Sequence, residues 1–365
     1  MKLKIILLLL SSYCFSQNSF KIQNLKPYFD ESQFPEIIYE GNPKVAAKIN
    51  TFLQLENLEH LPGMFKKHPF EKVAYDPENC CSSVAFYAWE KFKTPKNILS
   101  FSMEGVATGA YPEEFKIYKN FDIQTGNPIP MKEIFTSKGL LAVNKILNQK
   151  VKITITEYIS QTKKDAKSET LNDEEKQYFS EQLSMYEECL EGIENNTMDY
   201  YSFCFSGDSI IFSRGRCSNH ALRALDDLDV FLNAFRLSEV KKHLSAYGIS
   251  LMEGRDSQFK SKALDWKMYK GKINSKYPIT AVISEIYDDG ILNMKYWYDK
   301  VKTPIDLQGY LRDGNFEMTE LQYQESSQTT LPMALLRGKY SDGKLIGTWT
   351  NAETDEVLKF ELEVY

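Results

Sequence analysis

Only four histidines occur in the 365 residues, and none stands at metal-ligand spacing from another ligand. There is no His-x-x-x-His, no Cys-x-x-Cys and no Asp- and Asn-rich calcium loop. A tuned metal site is therefore not expected, and no cofactor is implied. A Gly-x-Ser-x-Gly elbow and a phosphate-binding glycine loop are missing too, which removes two common enzyme signatures. Beyond residue 10 no apolar run approaches the roughly 18 residues that a membrane helix needs. An excess of basic charge is also lacking: 44 Lys and Arg stand against 50 Asp and Glu. Such a surface repels nucleic acid and anionic lipid on average, and a cationic protein suits it better.

The single long apolar run sits at the start. Lys2 and Lys4 precede residues 5–10, all apolar, and Cys14 and Ser16 occupy −3 and −1 of a cut before Gln17. This pattern predicts a secretory signal peptide, residues 1–16, cleaved near Ser16–Gln17, and hence a periplasmic or secreted protein. Tyr13 stands where a lipoprotein would carry a small residue before Cys14, so clean cleavage is expected rather than a lipid anchor. Cleavage leaves 42 basic against 50 acidic residues, a formal charge of −8. With 42% hydrophobic and 13% aromatic residues the chain can fill packed cores, and its length allows about two domains.

Export permits disulfides. Cys80, Cys81, Cys189, Cys204 and Cys217 remain after cleavage, an odd number that leaves at least one thiol unpaired within a monomer. Ser206-Gly207-Asp208-Ser209 reads as a two-residue hairpin loop, which sets Cys204 opposite Ile211 and about 20 Å of strand away from Cys217. The expected arrangement has Cys80 and Cys81 reaching two of the other three. Buried free thiols are the alternative.

Pattern divides the chain. Residues 17–252 mix helical and strand periods and predict an α+β domain, with helices on an antiparallel sheet. Val45, Ile49, Phe52 and Leu53 share one helical face. Residues 97–104 alternate as a half-buried strand, and residues 115–123 alternate again. A helix is expected over 139–151, and polar residues 163–170 read as loop. Asn172 with Glu175 three residues on forms a capping box, followed by an apolar stripe through Phe179, Leu183, Tyr186 and Leu190. Residues 228–235 read as a strand, and Ser238 as the cap of a short helix. Residues 253–265 read as a linker. From 266 to 365 eight strands follow, separated by Asp289-Gly290, Asp313-Gly314 and Asp342-Gly343 turns. Eight short strands in a meander leave two open edges unless the sheet closes, which an up-and-down barrel or a tightly rolled sandwich achieves; the small barrel is the favoured expectation.

Four features carry candidate chemistry. Gly207-Asp208-Ser209 has the residues of an esterase block, but neither His220 nor His243 has an aspartate three residues before it, and Gly-Asp is ordinary turn chemistry. Glu113-Glu114, Asp226-Asp227 and Asp288-Asp289 are carboxylate pairs of the kind that stay solvated in an acidic protein. Residues 173–194 hold eight acidic residues and one lysine, a solvated helix face or, more sharply, a negative ridge that steers a basic protein. Tyr296, Trp297, Tyr298, Tyr340 and Trp349 form an aromatic group in the barrel. Core filling explains it, and the second reading is a ligand pocket lined by Tyr296, Trp297 and Trp349.

The segment Asn120-Phe121-Asp122-Ile123-Gln124-Thr125-Gly126-Asn127-Pro128-Ile129, followed by Met131-Lys132-Glu133-Ile134-Phe135, resembles a corner of the extracellular domains of RsiV-type anti-sigma factors, which sense lysozyme. A related module precedes the catalytic domain of PdaC-type peptidoglycan deacetylases. The resemblance covers residues 35–244 and extends to Pro35-Glu36-Ile37, the hairpin at 205–212 and Leu237-Ser238-Glu239-Val240. It implies a fold and a recognition role against a lysozyme-like protein or peptidoglycan. Two segments depart from the family: Thr108-Gly109-Ala110-Tyr111 replaces Gly-Gly-Ala-His, and Ser218-Asn219-His220-Ala221 replaces a tyrosine-rich stretch. The C-terminal strands resemble a β-rich unit of exported Bacteroidetes-type proteins, to which no function is assigned.

The expectation is a non-enzymatic binding protein of the cell envelope. Its binding residues would lie in the 106–114 loop (Thr108, Gly109, Ala110, Tyr111, Glu113) and on the acidic helix (Glu187, Glu188, Glu191). The partner would be a cationic protein or cell-wall glycan. The alternatives are a carrier of small lipophilic ligands through the barrel and a cell-wall hydrolase without a recognisable motif.

Overall fold

The computed structural model describes residues 20–29, 31–74, 83–108, 112–255, 264–287, 289–324 and 329–365. The expected signal peptide, Cys80 and Cys81, residues 109–111, Asp288 and most of the expected linker lie outside the described residues.

Strands β1 (Phe20–Asn24) and β2 (Pro35–Tyr39) form a hairpin ahead of α1 (Pro43–Asn57). Asn42 caps α1 through a bond from Val45 N, and Pro43 occupies the first turn, where its missing N–H costs nothing. Val45, Ile49, Phe52 and Leu53 are all buried, as their spacing predicts. Asn50 ties the helix to β2, accepting from Ile37 N at 2.8 Å and donating to Ile37 O at 2.9 Å.

The first sheet runs β3 (Ser83–Lys91), β4 (Ile98–Thr108), β5 (Pro112–Asp122), β6 (Asn127–Pro128), all antiparallel. Phe101 and Met103 enter the core, but β4 is not half-buried: Ser100 and Ser102 on its other face are also fully covered. Strand β7 (Tyr201–Ser206) lies against that face. Ser100 Oγ donates to Asn120 Oδ1 and accepts from Phe205 N, while Asn120 Nδ2 donates to Phe203 O. The alternation is real, and its polar side is an internal seam between two sheets.

α2 (Met131–Ile134), α3 (Ser137–Asp165) and α4 (Asp173–Ile193) follow. α3 continues past the expected end at 151 because Ile155, Ile159 and Thr162 prolong its buried stripe, so residues 163–165 are helix rather than loop. The capping box at Asn172 and Glu175 forms as predicted. β7, β8 (Ser209–Arg214) and β9 (Phe231–Arg236) make a three-stranded sheet with Cys204 opposite Ile211. β9 starts three residues later than expected, because 226–229 is spent on a turn. α5 (Leu237–Val240) starts before Ser238, with Arg236 at the cap position and its N–H donating to Glu239. α6 (Ala246–Met252) ends this part.

The C-terminal residues form a closed, eight-stranded antiparallel barrel: β10 (Lys267–Ile273), β11 (Tyr277–Ile286), β12 (Ile291–Tyr298), β13 (Ile305–Arg312), β14 (Asn315–Gln324), β15 (Thr329–Ser341), β16 (Lys344–Asn351) and β17 (Val357–Val364). β17 returns to β10, from Tyr269 opposite Val364 to Ile273 opposite Phe360. Asp313-Gly314 and Asp342-Gly343 take positive φ at both residues, as type I′ turns require. The closing seam needs Gly271: a Cβ there would stand 1.8 Å from Glu361 O. Inside, Tyr269, Ile273, Met294, Leu307, Met318, Leu336 and Leu362 belong to one continuous buried cluster. On the outer face of β10–β12, Met268, Val282 and Trp297 join the core built around α1 and β4.

Candidate functional site

The 122–129 corner is a support for whatever lies around it. Asp122 O accepts from Thr125 N and Gly126 N, its Oδ1 accepts from Gln124 N, and Tyr247 Oη donates to Oδ2 at 3.1 Å. Burial pushes the Asp122 carboxyl above its usual range despite these bonds. Gly126, at φ +75°, lies so close to α1 that a Cβ would stand 3.0 Å from Val45 O. The Asp122 carboxylate here is spent on the chain itself.

The expected 106–114 loop is shorter than the sequence suggests. β4 runs to Thr108 and β5 begins at Pro112, with Thr108 opposite Pro112 and Ala107 opposite Glu113. Gly109, Ala110 and Tyr111 lie outside the described residues. Glu113 leaves the hairpin towards the segment that follows β8. Its Oε1 is 3.8 Å from Arg216 Nη2, and its Oε2 is 3.4 Å from His220 Nδ1. Glu113 thereby ties the start of β5 to His220 in the 218–221 stretch.

A disulfide fixes the same segment from the other side. Cys189 on α4 bonds Cys217, with Cα atoms 5.4 Å apart. This corrects the expected pairing: with Cys189 and Cys217 bonded to each other and Cys204 a buried free thiol, Cys80 and Cys81 do not reach two of the three. The reason is the fold of 215–229, which doubles back over α4 around Asp226. Asp226 Oδ2 accepts from Ser218 N at 2.9 Å; Oδ1 accepts from Tyr186 Oη at 2.8 Å and Asp229 N at 3.2 Å. Burial works against the Asp226 carboxylate, but these bonds outweigh it and hold its carboxyl below the ordinary value. Asp226 is 8% exposed, so it is the turn's organiser and not a solvated acid. Its neighbour Asp227 accepts from Tyr158 Oη and from Gln182 Nε2.

α4 carries the acidic side chains outward, but part of the ridge is neutralised at home. Glu187 lies 2.6 Å from Lys163, and Glu194 pairs with Lys152, both lysines belonging to α3. α3 holds six lysines against two acidic residues, so the charge of the two helices together falls well below that of α4 alone. Glu188 and Glu191 are exposed and form no ion pair among the described residues. They flank Cys189. The surface that emerges is therefore mixed in charge: Glu188 and Glu191, the disulfide, Arg216, His220 and Glu113. Arg216 and His220 carried no motif and were missed as Glu113's partners. The nearest signal was the cysteine beside Arg216.

The barrel aromatics divide between two faces. Tyr296 points inward, whereas Trp297, the next residue, points outward and packs on the α1 core, so it lines nothing inside the barrel. Trp349 also faces inward, and its Nε1 donates to Glu320 Oε2 at 3.3 Å. Elsewhere, Lys93, Lys96, Gly207, Asp208, Glu253 and Gly254 line an open groove of roughly 580 Å³. Glu253 there is bound by both Lys241 and Arg255, which leaves it little capacity for a ligand. His60 is buried, bonded to Pro69 O and Leu61 O. Among the described residues no group of three or more His, Cys, Asp or Glu could hold a metal ion, and no helix is long and apolar enough to cross a membrane.

No protein-family profile matches the chain, and no curated protein matches it. Among solved structures the chain is similar to the crystal structure of a member of the DUF3298 family from Bacteroides fragilis. The identity is 10%, with a TM-score of 0.34, over 65% of this chain and 95% of that chain.

Proposed function

We propose that this protein is an exported, non-enzymatic binding protein of the cell envelope that recognises a lysozyme-like cationic protein through the surface around Cys189–Cys217. One observation carries the reading: the disulfide and Glu113's two contacts hold α4, the 215–221 segment and the β4–β5 hairpin as one preorganised patch. Preorganisation lowers the entropy lost on binding, which is what a recognition surface needs and a solvated charge run lacks. The free carboxylates of Glu188 and Glu191 favour a basic partner, and the resemblance to RsiV-type domains supplies the lysozyme version.

Hydrogen exchange in the presence of a c-type lysozyme, with peptidoglycan fragments in a parallel sample, tests the location. Protection of 184–192, 113–118 and 215–221 by lysozyme is expected. Protection by peptidoglycan alone would replace the partner, and protection confined to other segments would remove the surface.

A further inference from the structure

The barrel interior contains one carboxylate that the apolar core does not account for. Glu320 follows Phe316 and Met318 at steps of two on β14, and both of those side chains are buried in the barrel cluster. Strand alternation therefore turns Glu320 inward. It stands at the end of the barrel where β12 runs into β13 and β16 into β17, opposite Leu307 on one neighbour and Ala334 on the other. Tyr296 Oη donates to Glu320 Oε2 at 2.7 Å and Trp349 Nε1 to the same oxygen at 3.3 Å. Among the described residues Oε1 takes no hydrogen bond and Glu320 has no cationic partner. Burial and the Glu320 charge push the Tyr296 hydroxyl well above its ordinary value, so it remains a donor.

Two further tyrosine rings continue from that of Tyr296. The Tyr298 ring lies 5.8 Å from that of Tyr296 at 66°, and the Tyr277 ring stands edge-on to Tyr298 at 6.4 Å. Glu320, Tyr298 and Trp349 are each half-buried, so all three reach solvent at this end of the barrel. The connections at this end add Glu353, Asp355 and Glu356 to the rim and also Lys276, Lys300 and Lys302, so the carboxylate and not the rim's net charge selects a cation. A neutral lipophile entering here would strip water from a carboxylate and return nothing for it. A positively charged group would meet both an unpaired oxygen and ring faces, the two elements of ammonium recognition.

We propose that the mouth of the barrel binds a small organic cation, an alkylammonium group held between Glu320 Oε1 and the rings of Tyr298 and Trp349. This site is separate from the surface around Cys189–Cys217 and stands or falls without it. The oriented donors are Tyr296 and Trp349: by occupying Oε2 they fix the carboxylate plane and leave Oε1 for the ligand.

The test titrates the full mature chain with choline and, separately, with 3,3-dimethylbutan-1-ol, which has the same shape without the charge. Binding is read from tryptophan fluorescence and from broadening of the probe's own proton signals. Saturable choline binding is expected, with the alcohol roughly tenfold weaker or more. Glu320→Gln should weaken choline by a similar factor while the alcohol is unaffected. Trp349→Phe keeps the carboxylate, so it should abolish the fluorescence response and reduce, without removing, the probe broadening. Equal binding of choline and alcohol, no saturation by choline, or choline binding that survives Glu320→Gln would each overturn the proposal. Should Glu320→Gln fail to fold, the probe comparison on the wild-type chain together with Trp349→Phe decides.

Discussion

At the scale of single residues, the features that matter most are polar groups in buried places, which composition cannot reveal. Lys48 is one. It projects from α1 into the junction with the barrel, is 5% exposed, and donates to Tyr365 O at 2.6 Å. Burial, aided by Lys267 nearby, lowers its ammonium to about 8. In the unfolded chain the group keeps its ordinary value near 10.5. Between those two values the unfolded chain binds more protons, so stability rises with pH across that window. Thermal midpoints of the wild type and Lys48→Met, taken at about pH 7.5 and about pH 10, should show the wild type gaining relative to the variant. Parallel changes would contradict this account. Gly139 gives a second residue-scale prediction. A Cβ there would lie 2.0 Å from His243 O, a backbone atom that is held by a bond from Thr136 N. Gly139→Ala should cost about 1–3 kcal/mol in denaturant unfolding, as overpacking does. In the sequence, Lys48 sat at a position that the helical period leaves ambiguous, and Gly139 read only as the start of a helix.

At the scale of elements, apolar period and turn chemistry were legible, and contacts between elements were not. The helix face of Val45, Ile49, Phe52 and Leu53, the capping box at Asn172 and the Gly207-Asp208 hairpin all follow from local rules, and all form. The burial of Ser100 and Ser102 depends on β7 arriving from a hundred residues away, so one-strand reasoning placed them in water. The disulfide failed for the same reason. Cys189 and Cys217 are 28 residues apart, and their approach rests on the turn that Asp226 organises. Cys217→Ser should lower stability by about 3–4 kcal/mol on a loop-closure argument, read as a shift in denaturant midpoint. It should also speed hydrogen exchange in 215–221, whereas unchanged exchange there would show that the Asp226 bonds suffice alone. Asp226→Asn, which keeps the size but weakens the acceptor, should loosen the same segment with the disulfide intact.

At the scale of the whole molecule, closure of the last hundred residues was readable because clean alternation with Asp-Gly turns leaves two edges that a barrel or a rolled sandwich removes, and the barrel is what forms. How the barrel meets the body was not. The clue lies in β10–β12, where Met268, Val282 and Trp297 make the outward face apolar too; β11 is buried over residues 279–283 without a break. Trp297→Ala should therefore cost about 3–5 kcal/mol, in the range for large aromatic truncations, and should lower the melting of both parts rather than the barrel alone. A drop confined to one transition would mean that the two parts do not share that core. The same view of the molecule sets the functional claim: the chain presents a stapled patch of charge around Cys189–Cys217 and, apart from it, a carboxylate-bearing barrel mouth. The most direct measurement is a calorimetric titration of a c-type lysozyme into the wild type and into Glu188→Gln/Glu191→Gln, at low and at moderate salt. Saturable binding that weakens with salt, and that the double variant reduces about tenfold, is the predicted result. Absence of heat at low salt, or identical affinity in the double variant, would contradict it.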